Sequence, residues 1–190
     1  HTRVHESCHS RFTAHTFSLG ARLSRSQLDT ILDGEGVDST LNGLYLAGGE
    51  QHVDHHTLIE HAQPRCSSHE LYKGILGGRA TGVFRGRIHV RPQAQKTDAY
   101  QANKNLLLSP EAKAESIPKL EIEADDVRCT HGATVGHVDD EQRFYLMSRG
   151  LAPDEADRMI VEGFVEDLLE RVPEEAVRAR MRWHAERARG

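Results

Sequence analysis

The first residues that could do chemistry are His5-Glu6-Ser7-Cys8-His9, which satisfy the H-E-x-x-H pattern of zinc proteases. That chemistry requires His5 and His9 on one helical face, so that both imidazoles reach one zinc ion. Residues Arg11 to Phe17 are instead rich in aromatic and β-branched types and predict a strand. In a strand, residues four apart lie about 13 Å apart along the axis, which argues against a zinc protease.

A run of histidines in the middle of the chain is the second candidate, since strands of a cupin-like barrel can project imidazoles onto one metal. Side chains alternate along a strand, so His55 and His61 would face one way and His56 the other. No three converge by spacing, and we interpret them as scattered surface or turn histidines. A cupin-like or zinc-dependent enzyme using the N-terminal and central histidines is the alternative function. The central run comprises His52, His55, His56, His61 and His69.

The third candidate is the pair Cys129 and His131, within the segment from Asp125 to Thr134. If this segment is extended, a soft thiolate and a borderline imidazole point to the same side, a pairing suited to iron or zinc. Two ligands do not complete a metal site. Two interpretations stay open: another chain supplies the remaining ligands, or Cys129 is a small buried hydrophobe and His131 its hydrogen-bonded neighbour.

Motifs for nucleotide and acyl chemistry are absent from the sequence. It contains no G-x-x-x-x-G-K-[ST] phosphate loop, no dinucleotide-binding G-x-G-x-x-G and no G-x-S-x-G nucleophile turn. We therefore do not expect the chain to hydrolyse ATP by itself, and we predict no catalytic residue.

Short strands punctuated by glycines are predicted from Val4 to His137, for example in the runs 41–47, 52–61 and 83–90. The last of these alternates a polar face with a largely apolar one. Few Asn-Gly or Asp-Gly hairpin turns occur, so a solenoid of stacked coils fits as well as a sandwich. The pattern alone leaves both architectures open.

Helical patterns replace the strands after about Asp139 and predict two regions, a β core at 1–138 and a helical region at 139–190. Asp140 is expected to cap a first helix that Gly150 closes, and Pro153 to open a second. A third helix is predicted from Glu174 to about Arg189. The expected apolar stripe of the second helix is Ala156, Ile160, Phe164 and Leu168.

Composition narrows the class of protein. The net charge of the 190 residues is −5, with basic and acidic residues mixed, so no nucleic-acid footprint is present. Three widely spaced cysteines suggest neither disulfides nor a self-contained zinc site. No run approaches the roughly 18–20 apolar residues of a membrane span. We expect a soluble, cytoplasmic protein, and the start at His1, without a signal sequence, suggests a piece of a longer one.

Six blocks of residues carry a resemblance to a known family: Tyr72–Ile75, Phe84–Gly86, Thr97–Gln101, Asn105–Ser109, Cys129–Gly136 and Phe144–Gly150. Together they are similar, in order, to the SufB/SufD family of iron-sulfur cluster assembly proteins, over roughly residues 41–169. The resemblance is strongest to the SufD branch, because the segment 101–109 lacks the cysteine of SufB-like chains. It implies a right-handed parallel β-helix followed by a small C-terminal α-helical domain.

The resemblance also implies a scaffold subunit and not an enzyme. SufB and SufD of this family pair through their β-helices, and the SufC ATPase docks on the C-terminal helices. By resemblance, His131 and Cys129 lie at the SufB interface and offer ligands to iron or a nascent cluster. Neither iron nor the cluster is expected to be held tightly by this chain alone, because clusters usually need four protein ligands. Without SufB, exposed solenoid edges would let two copies pair. The expected SufC contacts are Phe144, Tyr145, Arg149 and Phe164.

Overall fold

The computed structural model describes residues 1–187 as ten β-strands followed by three α-helices. The strands are β1 (Thr2–Glu6), β2 (Arg11–Ser18), β3 (Leu23–Leu32), β4 (Asp38–Ala47), β5 (His52–His61), β6 (Ser67–Leu76), β7 (Thr81–Val90), β8 (Asp98–Leu107), β9 (Lys113–Ile122) and β10 (Arg128–His137). The helices are α1 (Asp140–Ser148), α2 (Pro153–Leu169) and α3 (Glu175–Glu186).

Odd-numbered strands form one sheet and even-numbered strands form another, and every pairing is parallel. The chain therefore alternates between an odd sheet and an even sheet, and winds into a β-solenoid of about five turns. Thr57 pairs with Leu28 on one side and with Gly86 on the other, which sets the stacking register of the odd sheet. The predicted parallel β-helix with C-terminal helices is confirmed, and the sandwich is excluded.

The interior of the solenoid is filled by every second side chain of each strand. In β5 the alternation is complete, since every second residue from Val53 onward is buried. The large side chains of Tyr45, Tyr72 and Phe84 are fully buried between the sheets. Full burial of a large apolar side chain contributes about 1.5–3 kcal/mol, so the alternating pattern both selects the strands and fixes which face turns inward.

Two central histidines correct the expectation of surface or turn positions. His55 and His61 lie inside the solenoid, as the strand parity requires, and both are essentially inaccessible. The ring of His55 lies between Tyr45 and Tyr72, with centroids 5.2 and 5.4 Å away. Burial lowers the pKa of both imidazoles to about 4, so both are neutral core residues at pH 7. The histidine content of a short segment therefore does not predict whether its side chains lie on the surface or in the core.

Helices α2 and α3 pack on the outer face of the even sheet, and α1 packs against α2. The side chain of Asp139 accepts a hydrogen bond from the Glu141 N–H and caps α1, whereas the predicted cap, Asp140, is the first helical residue. Pro153 opens α2 as predicted, because a missing N–H costs nothing in the first turn. The predicted end of the third helix near Arg189 lies outside the described residues, in which α3 spans Glu175–Glu186.

The buried face of α2 differs from the predicted stripe. Ile160 and Phe164 lie at its margin, not at its centre. The helix is seated on a broad sheet, so it buries a wider face than a single i, i+4 row can cover. Sheet residues such as Leu44 and Ile75 complete this second core. The fully buried residues of α2 are Ala156, Val161, Val165, Leu168 and Leu169.

One buried lysine joins the solenoid to the helices. Lys73 of β6 points outward under α2 and donates to the backbone carbonyl oxygen of Phe164 at 2.5 Å and to the carboxylate of Asp167. Its Nζ also lies 4.8 Å from the centroid of the Phe164 ring. Burial lowers the pKa of Lys73, and the Asp167 carboxylate opposes that effect. The ammonium group thus anchors the C-terminal half of α2 to the even sheet.

Candidate metal-ligand site at the end of the solenoid

Strand β10 is the last strand of the even sheet and has a free edge. Within residues 1–187 it pairs only with β8, so its other edge has no partner strand. Nine of its ten residues are exposed and Cys129 alone is partly buried. Side chains that would be core in any earlier turn are accessible here, because no further turn covers them within residues 1–187.

Cys129 and His131 lie on the same side of β10, the side that faces the solenoid axis. The prediction that this segment is extended is confirmed from Arg128 onward. Cys129 pairs in register with Ala99, a core residue, and packs against the same core cluster. His131 is two residues further along and pairs in register with Gln101. The Cys129 thiol is thus partly buried in the core, and the His131 imidazole is exposed to solvent.

The pKa of the Cys129 thiol lies above its usual range. Burial raises its pKa, and the Asp98 carboxylate on the neighbouring strand adds to that effect. A thiolate is the form that binds metals, so a cation placed beside Cys129 would offset both effects by its own charge. The donor set, one sulfur and one imidazole nitrogen, suits iron or zinc.

The histidine-rich segments provide no competing metal site within residues 1–187, where no group of three or more His, Cys, Asp or Glu residues could hold an ion. His5 lies in β1, and His9 lies in the following turn with a φ of 56°. The helix that H-E-x-x-H needs is therefore not formed. Cys8, Cys66 and Cys129 are all free thiols. The alternative of a cupin-like or zinc-dependent enzyme has no ligand set in this part of the chain.

Two buried polar residues behind His131 were missed by the sequence analysis. Gln101 and Glu70 are both fully buried, and the Gln101 Nε2 donates to Glu70 Oε2 at 2.7 Å. Burial raises the pKa of the Glu70 carboxyl to about 7, and the hydrogen bond from Gln101 opposes this shift. Glu70 shares strand parity with Tyr72 and Leu76. A glutamate on the apolar face of a strand was the signal that could have revealed it.

An apolar groove of about 770 Å³ lies between α1, α2 and the edge of the even sheet. Two of the predicted contact residues, Tyr145 and Phe164, line it. Phe144 lies outside the groove lining with 73% of its surface exposed, and the guanidinium carbon of Arg149 lies 5.2 Å from the centroid of the Tyr145 ring. The groove is also lined by Leu106, Leu146, Met159 and Ile160.

A parallel β-solenoid with a bare last strand and a helical layer on one sheet defines a protein of the solenoid class, in which extended surfaces are offered to partners. None of the helices within residues 1–187 has the length and apolar character needed to cross a membrane. The chain belongs to the SufBD core family, because the family model described as "SUF system FeS cluster assembly, SufBD core domain" matches residues 1–164.

Individual relatives agree with this assignment and with the predicted SufD branch. The chain is 40% identical to the iron-sulfur cluster assembly protein SufD of Escherichia coli over 165 residues, 87% of the chain and 39% of the relative. It is 38% identical to a SufBD family protein of Mycobacterium leprae over 174 residues, 87% of the chain and 44% of the relative. SufD of Bacillus subtilis is 33% identical over 156 residues, 82% of the chain and 36% of the relative. The chain thus spans about two fifths of the length of these relatives.

Proposed function

We propose that this chain is the core of a SufD-like scaffold subunit, which pairs with a SufB-like partner and binds iron or a nascent iron-sulfur cluster at their junction. His131 and Cys129 are the ligands that it contributes, and iron or the cluster is cargo, not a resident cofactor. The family assignment supports this function, and so does the position of both residues on an accessible end of the solenoid.

The observation that carries the proposal is the free edge of β10. Ten extended residues there offer backbone donors and acceptors with no partner strand within residues 1–187. Such an edge is suited to pairing with a strand of another chain. A strand added at this edge would stack its own inward side chains beside Cys129 and His131. Two protein ligands hold a metal weakly, whereas four hold a cluster, so tight binding would depend on the partner.

Replacing His131 with Ala in the full-length protein should lower the yield of assembled cluster by about tenfold or more. Losing a residue that merely supports a ligand already costs about 10–100-fold in metal affinity or activity, and this change removes a ligand. The measurement is the cluster absorbance of a complex reconstituted with SufB-like and SufC-like partners from the same genome. His52→Ala on the odd sheet is the matched control. An unchanged yield in an intact His131→Ala complex would contradict the proposal.

We also propose that a SufC-like ATPase docks on the apolar groove between α1 and α2. Exposed aromatic side chains around an apolar groove are the features of a protein interface hot spot, and Tyr145 is both exposed and part of the groove lining. Lys73 fixes α2 to the even sheet beside this groove, so a partner bound there would be held rigidly against the solenoid.

Replacing Tyr145 with Ala should weaken binding of the SufC-like ATPase by about 30-fold, which corresponds to a hot-spot loss of about 2 kcal/mol. Titration calorimetry of the full-length protein with the ATPase measures it. Trp183→Ala on α3 removes an aromatic side chain that is also half exposed but lies outside the groove lining, and it should bind normally. If Trp183→Ala loses binding and Tyr145→Ala retains it, the docking surface is on α3 instead.

A further inference from the structure

We propose that Gln101, held in place by Glu70, is the positioning residue that orients the His131 imidazole. The inference rests on the proposed function insofar as it treats His131 as a metal ligand. Its structural content, a hydrogen bond from the ring of His131 to the side-chain oxygen of Gln101, can be tested without any metal.

The first observation is an unused acceptor. The Gln101 amide is fully buried and its Nε2 donates to Glu70, but its Oε1 is buried without a hydrogen-bond partner within residues 1–187. Buried acceptors without a partner are rare because the lost hydration is not replaced. Above about pH 7 the Glu70 carboxyl is ionised and only accepts hydrogen bonds, so it takes the amide N–H and leaves the amide oxygen available to a donor.

The second observation is the position of His131 relative to that oxygen. Gln101 and His131 are register partners on the adjacent strands β8 and β10, and both are on the inward-facing side. Adjacent strands lie about 4.8 Å apart, a separation that an amide and an imidazole stacked in register can span with one hydrogen bond. Within residues 1–187 neither ring nitrogen of His131 has a hydrogen-bond partner, so the bond to the unpaired Gln101 Oε1 is the inferred contact.

The opposite sheet leaves room for this arrangement. Gly86 faces Gln101 from β7, and a Cβ at Gly86 would collide with the Gln101 amide nitrogen. A glycine in the middle of a strand weakens it and marks a close approach of another group. The side-chain amide of Gln101 therefore occupies the space that the missing Gly86 side chain leaves. This amide is hydrogen-bonded to Glu70 on one neighbouring strand and belongs to the register partner of His131 on the other.

The chemical consequence is control of the imidazole tautomer. A metal-ligating histidine donates its second ring N–H to an oxygen, which fixes the ring orientation and leaves the other nitrogen free for the metal. Gln101 supplies that oxygen, and Glu70 prevents the amide from rotating away. The site thus has a preorganised ligand on an otherwise bare strand.

The experiment measures the tautomer of His131 by nitrogen-15 NMR in the full-length protein at pH 8, above the pKa of about 7 of the Glu70 carboxyl. We expect a single tautomer in the unaltered protein and a mixture in Gln101→Leu, which lacks the acceptor. Glu70→Gln keeps an acceptor for the amide N–H and should retain the single tautomer, whereas Glu70→Leu should lose it. A mixture in the unaltered protein, or a single tautomer that survives in Gln101→Leu, overturns the inference.

Cobalt binding separates this inference from the proposed function. With Co²⁺ as the probe, Gln101→Leu should bind about 10–100-fold more weakly than the unaltered complex with the SufB-like partner. An affinity unchanged by His131→Ala would remove the ligand role of His131 and leave the tautomer result standing. A large loss with His131→Ala and none with Gln101→Leu would retain the proposed function and overturn the positioning role of Gln101.

Discussion

Replacing Gly74 with Ala should destabilise the solenoid by about 3 kcal/mol, the upper part of the usual range for overpacking a core. Gly74 faces the interior, where an added Cβ would collide with the ring of Tyr45 and the Asn105 side chain. Neither neighbour can move freely, since Tyr45 is fully buried, donates to Asn105 and accepts from Asn103. Urea unfolding followed by circular dichroism measures the effect.

The matched control for this change is Gly136→Ala in β10. In the described part of the chain a Cβ at Gly136 meets no atom within 4 Å, because no further turn covers β10 there. Its unfolding free energy should stay within about 0.5 kcal/mol of the unaltered protein. Equal losses in the two variants would show that strand propensity, not collision with Tyr45 and Asn105, sets the cost.

Glu70→Gln should remove a pH-dependent loss of stability that amounts to about 3 kcal/mol. Burial raises the pKa of Glu70 from its ordinary value of 4.5 to about 7, so between these values the folded protein keeps a proton that the unfolded chain releases. The stability that the protonated Glu70 contributes is therefore fully present below about pH 4.5, falls as the pH rises from about 4.5 to about 7, and is lost above about pH 7. The variant has no such titration.

Urea unfolding of both proteins at pH 5 and pH 8 tests this. The stability of Glu70→Gln relative to the unaltered protein should increase from pH 5 to pH 8, and other titrating groups cancel in that difference. Glu115→Gln, at an exposed position of β9, should follow the unaltered protein at both pH values. A constant difference between Glu70→Gln and the unaltered protein would show that Glu70 is solvated more than its burial implies.

The alternation of inward and outward side chains along the strands could be predicted from the sequence pattern. The way in which the strands pair into a solenoid could not. The segments 52–61 and 83–90 alternate because each has one face in the core, and the parity of His55 and His61 followed correctly. Whether such strands form hairpins or coils depends on which strand pairs with which. In this chain each partner lies about 30 residues away, beyond the reach of local patterns, and only the family resemblance indicated the parallel β-helix.

The residues of the candidate site also differ in whether local sequence could predict them. Cys129 and His131 could be paired from sequence because they belong to one strand, and two-residue spacing fixes a common side. Gln101 and Glu70 could not, because they reach His131 only through the register of three different strands. The stripe of α2 was misjudged for a related reason, since the width of the face that a helix buries depends on the sheet beneath it.

The bare end of the solenoid shows how a repeat architecture can create a site without a new element. In the earlier turns, the positions equivalent to Cys129 hold the buried Ala99 and Ser68, and those equivalent to His131 hold the buried Gln101, Glu70 and Leu41. Ending the stack leaves two such positions uncovered. Positions that pack the core in the earlier turns are therefore open to a partner in the last turn. The packed turns beneath β10 hold these positions rigidly, so the site needs no stabilising element of its own.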